Sequence, residues 1–307
     1  MNFMAVNQSA MNIQRALQEE RLMRAVIGMG KKEFLKLHKR FSIYATRVRY
    51  KRNRKRKPGA GRTHTLETTE QKLFFILFYM KCYPTFDMAG FFFEVNKSQA
   101  KRWVDDMRKK LEKALGKAMV LPERRIRSVE EFLKRFPEVR ELIIDGTERP
   151  VQRPKNKKKQ KERYSGKKKK HTQKNIVGVS RKKKILWLSP TANGKEHDYP
   201  LLKKTHLPEH IPRKVKTYLD LGFKGIQKDY PLKVFMPFRK PRTRELTKKQ
   251  RKFNKKVSRF RVRGENALAG VKRYRCITDV CRNKTEELKD TLMYLCCGLW
   301  NYHLKVA

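Results

Sequence analysis

Three acidic residues stand where they could hold a metal ion. Asp145 follows the apolar run Leu142–Ile144, Asp220 lies near the end of the apolar segment 215–222, and Glu265 lies in a basic helical segment. A carboxylate at the end of a buried strand, beside a strongly basic segment, suggests a metal site that acts on a polyanion. The simpler alternatives are a strand end followed by a turn for the two aspartates, and a surface ion pair for Glu265.

The charge balance predicts a nucleic acid as the binding partner. The 307 residues include 79 Lys and Arg against 29 Asp and Glu, a formal net charge of +50. Such an excess repels itself in a compact chain unless a polyanion neutralises it. A membrane surface is the alternative, but no basic amphipathic anchor lies beside a spanning segment. Ribosomal and chromatin proteins share this charge, so composition indicates the partner and not the activity.

Cysteine usage and apolar runs predict an intracellular protein. The five cysteines are an odd number without a paired CxxC spacing, so neither a disulfide framework nor a zinc site is expected. Reduced thiols fit an intracellular compartment, and no secretory signal is recognisable. The longest apolar runs, Leu73–Met80 and Leu292–Trp300, are too short to cross a bilayer. We expect a cytoplasmic, nucleoid-associated protein in a prokaryote and a nuclear one in a eukaryote.

Residues 1–57 are expected to form helices followed by a basic linker. Apolar residues recur at helical spacing as far as Phe41, and Gly28 and Gly30 divide the region into two helices. Segment 47–62 is rich in Arg and Lys and closes with Pro and Gly. It is either a solvated connector or an arm that follows DNA phosphates.

Residues 58–120 have the pattern of a helix-turn-helix domain. An apolar helix over Glu67–Met80 is followed by a short helix that Thr85 can cap and by a third helix, Lys97–Leu115, that Asn96 can cap. The second helix of a helix-turn-helix pair enters the major groove of DNA. Four polar residues at its start are the expected DNA contacts: Lys97, Gln99, Lys101 and Arg102. An ordinary three-helix bundle is the alternative.

Residues 121–307 are expected to form a mixed α/β domain. Ser128 begins a capping box for a helix that stops at Pro137. Strands are expected at Glu141–Asp145, on both sides of a hairpin turn at Arg181–Lys183, at 215–222 and at Lys233–Met236. The remaining expected elements are a short helix from His197, a long basic helical region over Glu245–Arg275 and a final helix over Glu286–His303.

The order of these elements resembles that of a ribonuclease-H-like nucleotidyl transferase. Five motifs support this in sequence order: Asp145–Pro150, Tyr164–Lys174, His197–Tyr199, Tyr218–Phe223 and Arg261–Ala267. Together with the helix-turn-helix pattern, they are similar to the DDE transposases of the bacterial insertion-sequence five family, relatives of eukaryotic PIF/Harbinger transposases. The resemblance implies an α/β fold, with a ribonuclease-H-like mixed sheet and flanking helices, preceded by an all-α helix-turn-helix domain.

The resemblance also implies a catalytic triad of Asp145, Asp220 and Glu265. In that topology the three carboxylates meet at one end of the sheet and hold two divalent cations, Mg²⁺ or Mn²⁺, which need oxygen ligands. The implied activity is DNA transposition: water cuts a phosphodiester at the transposon end, and the freed 3′-hydroxyl attacks target DNA. Neither an organic cofactor nor a covalent protein–DNA intermediate is expected.

Basic residues around the carboxylates are further candidates for DNA contact. They are Lys167, Lys168, Lys170, His171, Arg273 and Arg275. His171 is expected at a phosphate and not on Mg²⁺, because this cation prefers oxygen, and a solvated helix face is the alternative for the two arginines. Asp198 either supports the metal site or caps its helix. Asn266 is either close to the metals or part of the polar surface.

The implied partners are double-stranded DNA, both the terminal inverted repeats of a transposon and the target, and no membrane. Because transposition joins two ends, the resemblance implies a homodimer or a larger synaptic complex. Two alternatives remain open: a domesticated relative that binds DNA without cutting it, and a basic scaffold protein of RNA or chromatin. The second of these needs neither two Asp-bearing strands nor a helix-turn-helix.

Overall fold

The computed structural model describes residues 12–46 and 65–306, in two compact units. The first unit comprises Met1–Val120, Tyr274–Cys276 and Lys305–Ala307, and the second comprises Leu121–Arg273 and Ile277–Leu304. The basic arm predicted over 47–62 lies outside the described residues. Within the described ranges, no helix combines the length and the apolar content that a membrane crossing requires.

The described part of the first unit is helical. Its helices are α1 (Ile13–Gln18), α2 (Glu20–Val26), α3 (Lys31–Ala45), α4 (Thr69–Cys82), α5 (Phe86–Phe92) and α6 (Lys97–Lys117). The region predicted as two helices contains three, because Glu19 takes an extended conformation between α1 and α2. The predicted caps are confirmed: Thr85 accepts a hydrogen bond from the backbone N–H of Met88, and Asn96 accepts one from that of Gln99.

Helix α4 forms the centre of the first unit. Every side chain from Leu73 to Met80 is buried, so this helix is covered on all sides and not on one face alone. The ring of Phe75 meets those of Phe93 and Trp103 edge-on, at centroid distances of 4.9 and 5.2 Å. These contacts attach α6 and the end of α5 to α4.

The turn between α5 and α6 closes with Glu94 in the left-handed conformation, at φ +53°. The backbone N–H of Val95 donates to the carbonyl of Gly90 at 2.9 Å, and that of Glu94 donates to the carbonyl of Phe91. This pairing is typical of helix ends that carry glycine at the left-handed position. Here the glycine lies inside the helix instead: a Cβ on Gly90 would lie 2.4 Å from the Val95 oxygen.

The second unit is a seven-stranded mixed sheet with helices. Its helices are α7 (Val129–Arg135), α8 (Lys157–Arg163), α9 (Asp198–Lys203), α10 (Leu207–His210), α11 (Ile226–Asp229) and α12 (Lys248–Val271). Two further helices are divided between the units: α13 (Arg275–Thr278) and α14 (Glu286–Val306), most of which belongs to the second. Its strands are β1 (Glu141–Pro150), β2 (Tyr164–Ser165), β3 (Lys170–Ser180), β4 (Ile185–Leu188), β5 (Ala192–Asn193), β6 (Lys216–Tyr218) and β7 (Lys233–Phe235). The strand order is β2-β3-β1-β6-β7, with β4 and β5 also paired to β3. This is the mixed α/β sheet of a ribonuclease-H-like fold.

Strand β1 lies between the antiparallel strand β3 and the parallel strand β6, and these two neighbours differ greatly in length. It pairs with β3 from Leu142 to Pro150 but with β6 only from Glu141 to Ile143. The predicted strand end at Asp145 is therefore wrong, because the long β3 partner extends the ladder by five residues. Asp145 lies instead just beyond the point where the parallel pairing stops.

The strand predicted over 215–222 is shorter than expected. Its regular part is β6, and the backbone N–H of Leu219 still donates to the carbonyl of Phe235. Asp220 then leaves the sheet and its side chain accepts a hydrogen bond from the N–H of Leu221, where a 3-10 turn begins. Asp220 thus lies directly after the strand, at its carboxyl end.

Helix α12 crosses the sheet on one face. Its buried positions, among them Val257, Gly264 and Leu268, recur at helical spacing. A Cβ on Gly264 would lie 2.9 Å from Cγ2 of Ile143, so glycine allows the helix to approach β1 closely. The helix ends at Val271, four residues earlier than the Glu245–Arg275 region predicted. The backbone N–H of Lys272 still donates to the Leu268 carbonyl, but the chain turns before α13.

Candidate active site

The alternation of side chains along β1 places Asp145 on the α12 face of the sheet. Ile143, two residues earlier, touches α12, whereas Leu142 and Ile144 pack into the core on the opposite face with Leu202 of α9. Asp145 is half-buried, and its Oδ1 accepts a hydrogen bond only from the N–H of Gly146, at 2.9 Å, among the residues that the structure describes.

The electrostatic surroundings of Asp145 disfavour its charged form. Burial raises the pKa of its carboxyl above the usual range, and the negative charges of Asp220 and Asp198 raise that pKa further. The Arg261 guanidinium and the Gly146 N–H act in the opposite direction without cancelling the shift. A carboxylate without a side-chain partner in such a place gains most from a cation.

Arg261 of α12 connects the helix to Asp220. Its Nη1 lies 3.5 Å from Oδ1 of Asp220, and its Nε is buried without a hydrogen-bond partner among the described residues. Asp220 also receives the N–H of Leu221 at 2.7 Å. The same guanidinium lowers the pKa of Asp145, so Arg261 acts electrostatically on both aspartates.

Glu265 lies one helical turn after Arg261, on the same side of α12. It is exposed, and in the described part of the chain it makes no hydrogen bond or ion pair. Its charge is also not among those that shift the pKa of Asp145. The helix thus carries Glu265 toward the two aspartates, but the three carboxylates are not in contact.

Asp198 lies in a second group of charges, on the other face of β1. Its Oδ1 is 2.9 Å from Nζ of Lys174, which also lies 3.5 Å from Oε1 of Glu148. The predicted cap at Asp198 is wrong: it is the first residue of α9, His197 holds the cap position, and no side-chain cap bond forms there. Instead, the Asp198 carboxylate forms an ion pair with Lys174, which lies directly opposite Glu148 in the β1–β3 register.

The donors at this end of the sheet suit a hard divalent cation. Four carboxylates, those of Asp145, Glu148, Asp198 and Asp220, share two cationic side chains, in a chain with a net charge of +50. The described residues contain no cluster of three or more His, Cys, Asp or Glu side chains arranged to hold a metal. Mg²⁺ commonly takes only one or two carboxylates and completes its shell with water and substrate phosphates, so Asp145 and Asp220 fit it, whereas Glu148 and Asp198 are paired with Lys174 on the other face.

Comparisons with known proteins assign the chain to a family. Residues 144–301 match the family model described as DDE superfamily endonuclease, and residues 64–117 match the one described as helix-turn-helix of DDE superfamily endonuclease. The chain belongs to the DDE superfamily endonucleases. It is 28% identical over 258 residues to a probable transposase for insertion sequence element IS702 from Microchaete diplosiphon, covering 83% of this chain and 87% of that protein. No solved structure matches significantly.

In this DDE superfamily endonuclease, the predicted recognition residues lie at the start of α6. Lys97, Lys101 and Arg102 are exposed and Gln99 is half-buried. Lys97 has an acidic neighbour at the limit of an ion pair, since its Nζ is 4.0 Å from Oδ1 of Asp87. The exposed cations at the start of α6 are therefore available to a ligand.

The predicted DNA contacts at 167–171 lie far from Asp145. Lys167 and Lys168 are exposed in the β2–β3 turn, and Lys170 is exposed at the start of β3. The carbonyl of His171 accepts a hydrogen bond from the backbone N–H of Val151. Val151 is six residues beyond Asp145 along an extended strand, which corresponds to about 20 Å. These residues do not line the Asp145–Asp220 site.

The two predicted arginines lie after α12 and not on it. Arg273 donates from Nε to the carbonyl of Gly270 at 3.0 Å, and its guanidinium lies 5.3 Å from the Trp300 ring centroid. These contacts give Arg273 a structural role at the helix end. Arg275 is exposed.

The cations on the exposed side of α12 were not among the residues predicted from the sequence to contact DNA. We call Lys248, Lys252, Lys255, Lys256 and Arg259 the α12 basic face. All five are exposed, fall within about 100° of helix circumference, and form no ion pair within the described residues. On the packed side of the helix, Phe253 stacks on Phe235 and Phe260 stacks on Tyr218, and Asn254 exchanges two hydrogen bonds with the Phe238 backbone. Basic residues recur at helical spacing within 248–259, and this pattern could have predicted the α12 basic face from the sequence.

Proposed function

We propose that this protein is a transposase that binds the ends of its mobile element and catalyses metal-dependent strand cleavage and strand transfer. The observation that carries the proposal is that Asp145 lies within electrostatic reach of Asp220 and of Arg261, which contacts Asp220 from the helix that also bears Glu265. The relative from Microchaete diplosiphon, which aligns with most of this chain, is named as a probable transposase.

Asp145, Asp220 and Glu265 would hold the divalent cation or cations, Mg²⁺ or Mn²⁺, of which we propose two. When bound, such cations activate the attacking oxygen and stabilise the leaving oxygen of a phosphodiester. Burial of Asp145 strengthens its attraction to a cation, because the carboxylate has lost much of its water. Arg261 partly neutralises both aspartates before a cation arrives.

The DNA partner is proposed to contact several basic surfaces. Residues 58–120 are the proposed helix-turn-helix domain, which would recognise the terminal inverted repeats through Lys97, Gln99, Lys101 and Arg102. Residues 121–307 are the proposed catalytic domain, with residues 1–57 as an N-terminal helical region and linker. We retain Lys167, Lys168, Lys170, His171 and Arg275 as phosphate contacts outside the cleavage site, and Arg273 with less support because its guanidinium is engaged.

The α12 basic face is a further proposed phosphate contact. Lys248 lies 17 residues before Glu265, so the face begins about 25 Å from it along the helix. Five cations without acidic partners repel one another unless a polyanion covers them. Duplex DNA that leaves the cleavage site along α12 would supply that negative charge.

We further propose that two copies of the chain act together, because two transposon ends must be joined to one target. The protein would work where its DNA is, in the nucleoid of a prokaryote or the nucleus of a eukaryote. A second candidate function is DNA binding without cleavage, and the observation that favours it is the lack of contact between Glu265 and the aspartates.

A cleavage assay on the terminal inverted repeats that flank the gene separates the two candidates. We expect strand cleavage with Mg²⁺ or Mn²⁺, none in excess chelator, and none in Asp145→Asn, which should still bind the DNA. Asp229→Asn is the matched control, because it removes an exposed carboxylate that is paired with Lys203, and it should cleave normally. Full cleavage by Asp145→Asn, or in chelator, would overturn the proposed mechanism.

A further inference from the structure

Asp198 fills a gap between the two segments that carry Asp145 and Asp220. Gly146 follows Asp145 directly, and Gly222 lies two residues after Asp220. A Cβ on Gly146 would lie 2.9 Å from Oδ1 of Asp198, and a Cβ on Gly222 would lie 2.9 Å from Oδ2. Both distances are shorter than normal contacts, so each oxygen occupies the space that one glycine leaves open.

Lys174 holds the carboxylate in this gap. Its Nζ lies 2.9 Å from Oδ1 of Asp198 and donates to the Glu196 carbonyl at 2.7 Å. The side chains of Lys174 and Asp198 are only 7% and 19% exposed. A buried ion pair with an additional hydrogen bond has little freedom to rearrange, because any movement leaves a charge unpaired.

Asp198 approaches the Asp145–Asp220 site from the opposite face of the sheet. Alternate residues of a strand face the same side of the sheet, so Gly146 faces the same side as Leu142 and Ile144. Asp198, which lies against Gly146, is therefore on the face opposite Asp145. Asp198 therefore acts through its charge and through the backbone of β1 and of the 3-10 turn after β6, and not as a third ligand beside Asp145.

We propose that Asp198, held by Lys174, is a positioning residue that sets the spacing of the Asp145 and Asp220 segments and thereby the affinity of the site for its divalent cation. The inference rests on the proposed function, since it concerns the same cation site. Residues that support metal ligands from outside typically change metal affinity by about 10–100-fold.

Mn²⁺ binding to the full-length protein, followed by calorimetry without DNA, tests this role. Asp198→Asn keeps the shape and an acceptor for Lys174, and we expect it to weaken Mn²⁺ binding by at least about tenfold. Asp290→Asn is the matched control, since it removes another ion-paired carboxylate of the same unit, beside Arg124, and should leave Mn²⁺ affinity unchanged. Mn²⁺ affinity of Asp198→Asn within twofold of the wild type would overturn the inference.

A second pair of variants keeps the test decisive if Asp198→Asn folds poorly. Gly222→Ala retains every charge and pushes on the carboxylate, so it should weaken Mn²⁺ binding as well. In an Asp198→Ala background the same methyl group has room, and Gly222→Ala should cause no additional loss. Additive losses would contradict the proposed spacing role. Asp145→Asn reports separately on the site: normal Mn²⁺ binding there would overturn the proposed function itself.

Discussion

Nη1 of Arg261 lies 3.5 Å from Oδ1 of Asp220, and the same guanidinium lowers the pKa of Asp145 against the effect of burial. One cationic side chain thus serves both aspartates. A divalent cation held by both aspartates would lie close to this guanidinium, and the two positive charges would repel each other.

This competition predicts that Arg261→Met strengthens Mn²⁺ binding to the DNA-free protein. Removing one positive charge a few ångströms away should lower the apparent dissociation constant by roughly three- to tenfold, a modest value because solvent screens the site. Calorimetric titration measures it directly. Arg259→Met is the control, since Arg259 is exposed on the α12 basic face, and it should bind Mn²⁺ like the wild type. Weaker binding by Arg261→Met would show that the guanidinium supports the site and does not compete with the cation.

The raised pKa of Asp145 predicts that this residue destabilises the metal-free fold at neutral pH. A carboxyl whose pKa is higher in the folded than in the unfolded chain costs stability above that folded pKa, and the cost disappears below the unfolded value near 3.8. Asp145→Asn should therefore raise the free energy of unfolding in chelator at pH 7, by up to about 2 kcal/mol.

Denaturant unfolding of both proteins between pH 3.5 and 8 measures this effect. The stability difference between Asp145→Asn and the wild type should shrink as the pH falls toward 4. A variant that is less stable than the wild type at pH 7 would mean that the carboxylate stabilises the metal-free fold.

The α12 basic face predicts a specific change in salt dependence. Replacing Lys252, Lys255, Lys256 and Arg259 by Gln should weaken duplex binding and reduce the slope of log K against log salt by about 0.9 for each lost phosphate contact. Fluorescence anisotropy at several salt concentrations gives the slope.

A charge-matched control separates local contact from net charge. Lys134, Lys182, Arg213 and Lys214 are exposed near the amino-terminal ends of β1 and β6, away from the carboxylates. Their replacement by Gln removes the same charge and should leave the slope close to that of the wild type. Equal slopes for the two quadruple variants would remove the α12 basic face from the DNA interface.

Local signals in the sequence predicted much of the fold. The caps at Thr85, Asn96 and Ser128 depend on residues three positions away, and the hairpin turn at Arg181–Lys183 joins strands that pair with each other. Such features are visible in a short window because their partners are close in sequence.

Features that depend on distant partners were not predictable in the same way. The length of β1 beyond Asp145 is set by β3, which begins 25 residues later. The role of Asp198 is set by Lys174 and by two glycines that border the gap, so its position at a helix start suggested a cap. The α12 basic face was present in the sequence as a helical period of Lys and Arg, but only the packing of Phe253 and Phe260 shows which side is exposed.

Asp145, Asp220 and Glu265 are proposed to act as one cation site, and Glu265 is its most exposed member. Strand cleavage of terminal-repeat DNA by Glu265→Gln, in Mn²⁺, tests that claim most directly. We predict a loss of at least about a thousandfold, equal to that of Asp145→Asn and Asp220→Asn, because residues that act as a unit fail together. Glu209→Gln, another exposed glutamate, should cleave normally. Cleavage by Glu265→Gln within tenfold of the wild type would contradict the triad.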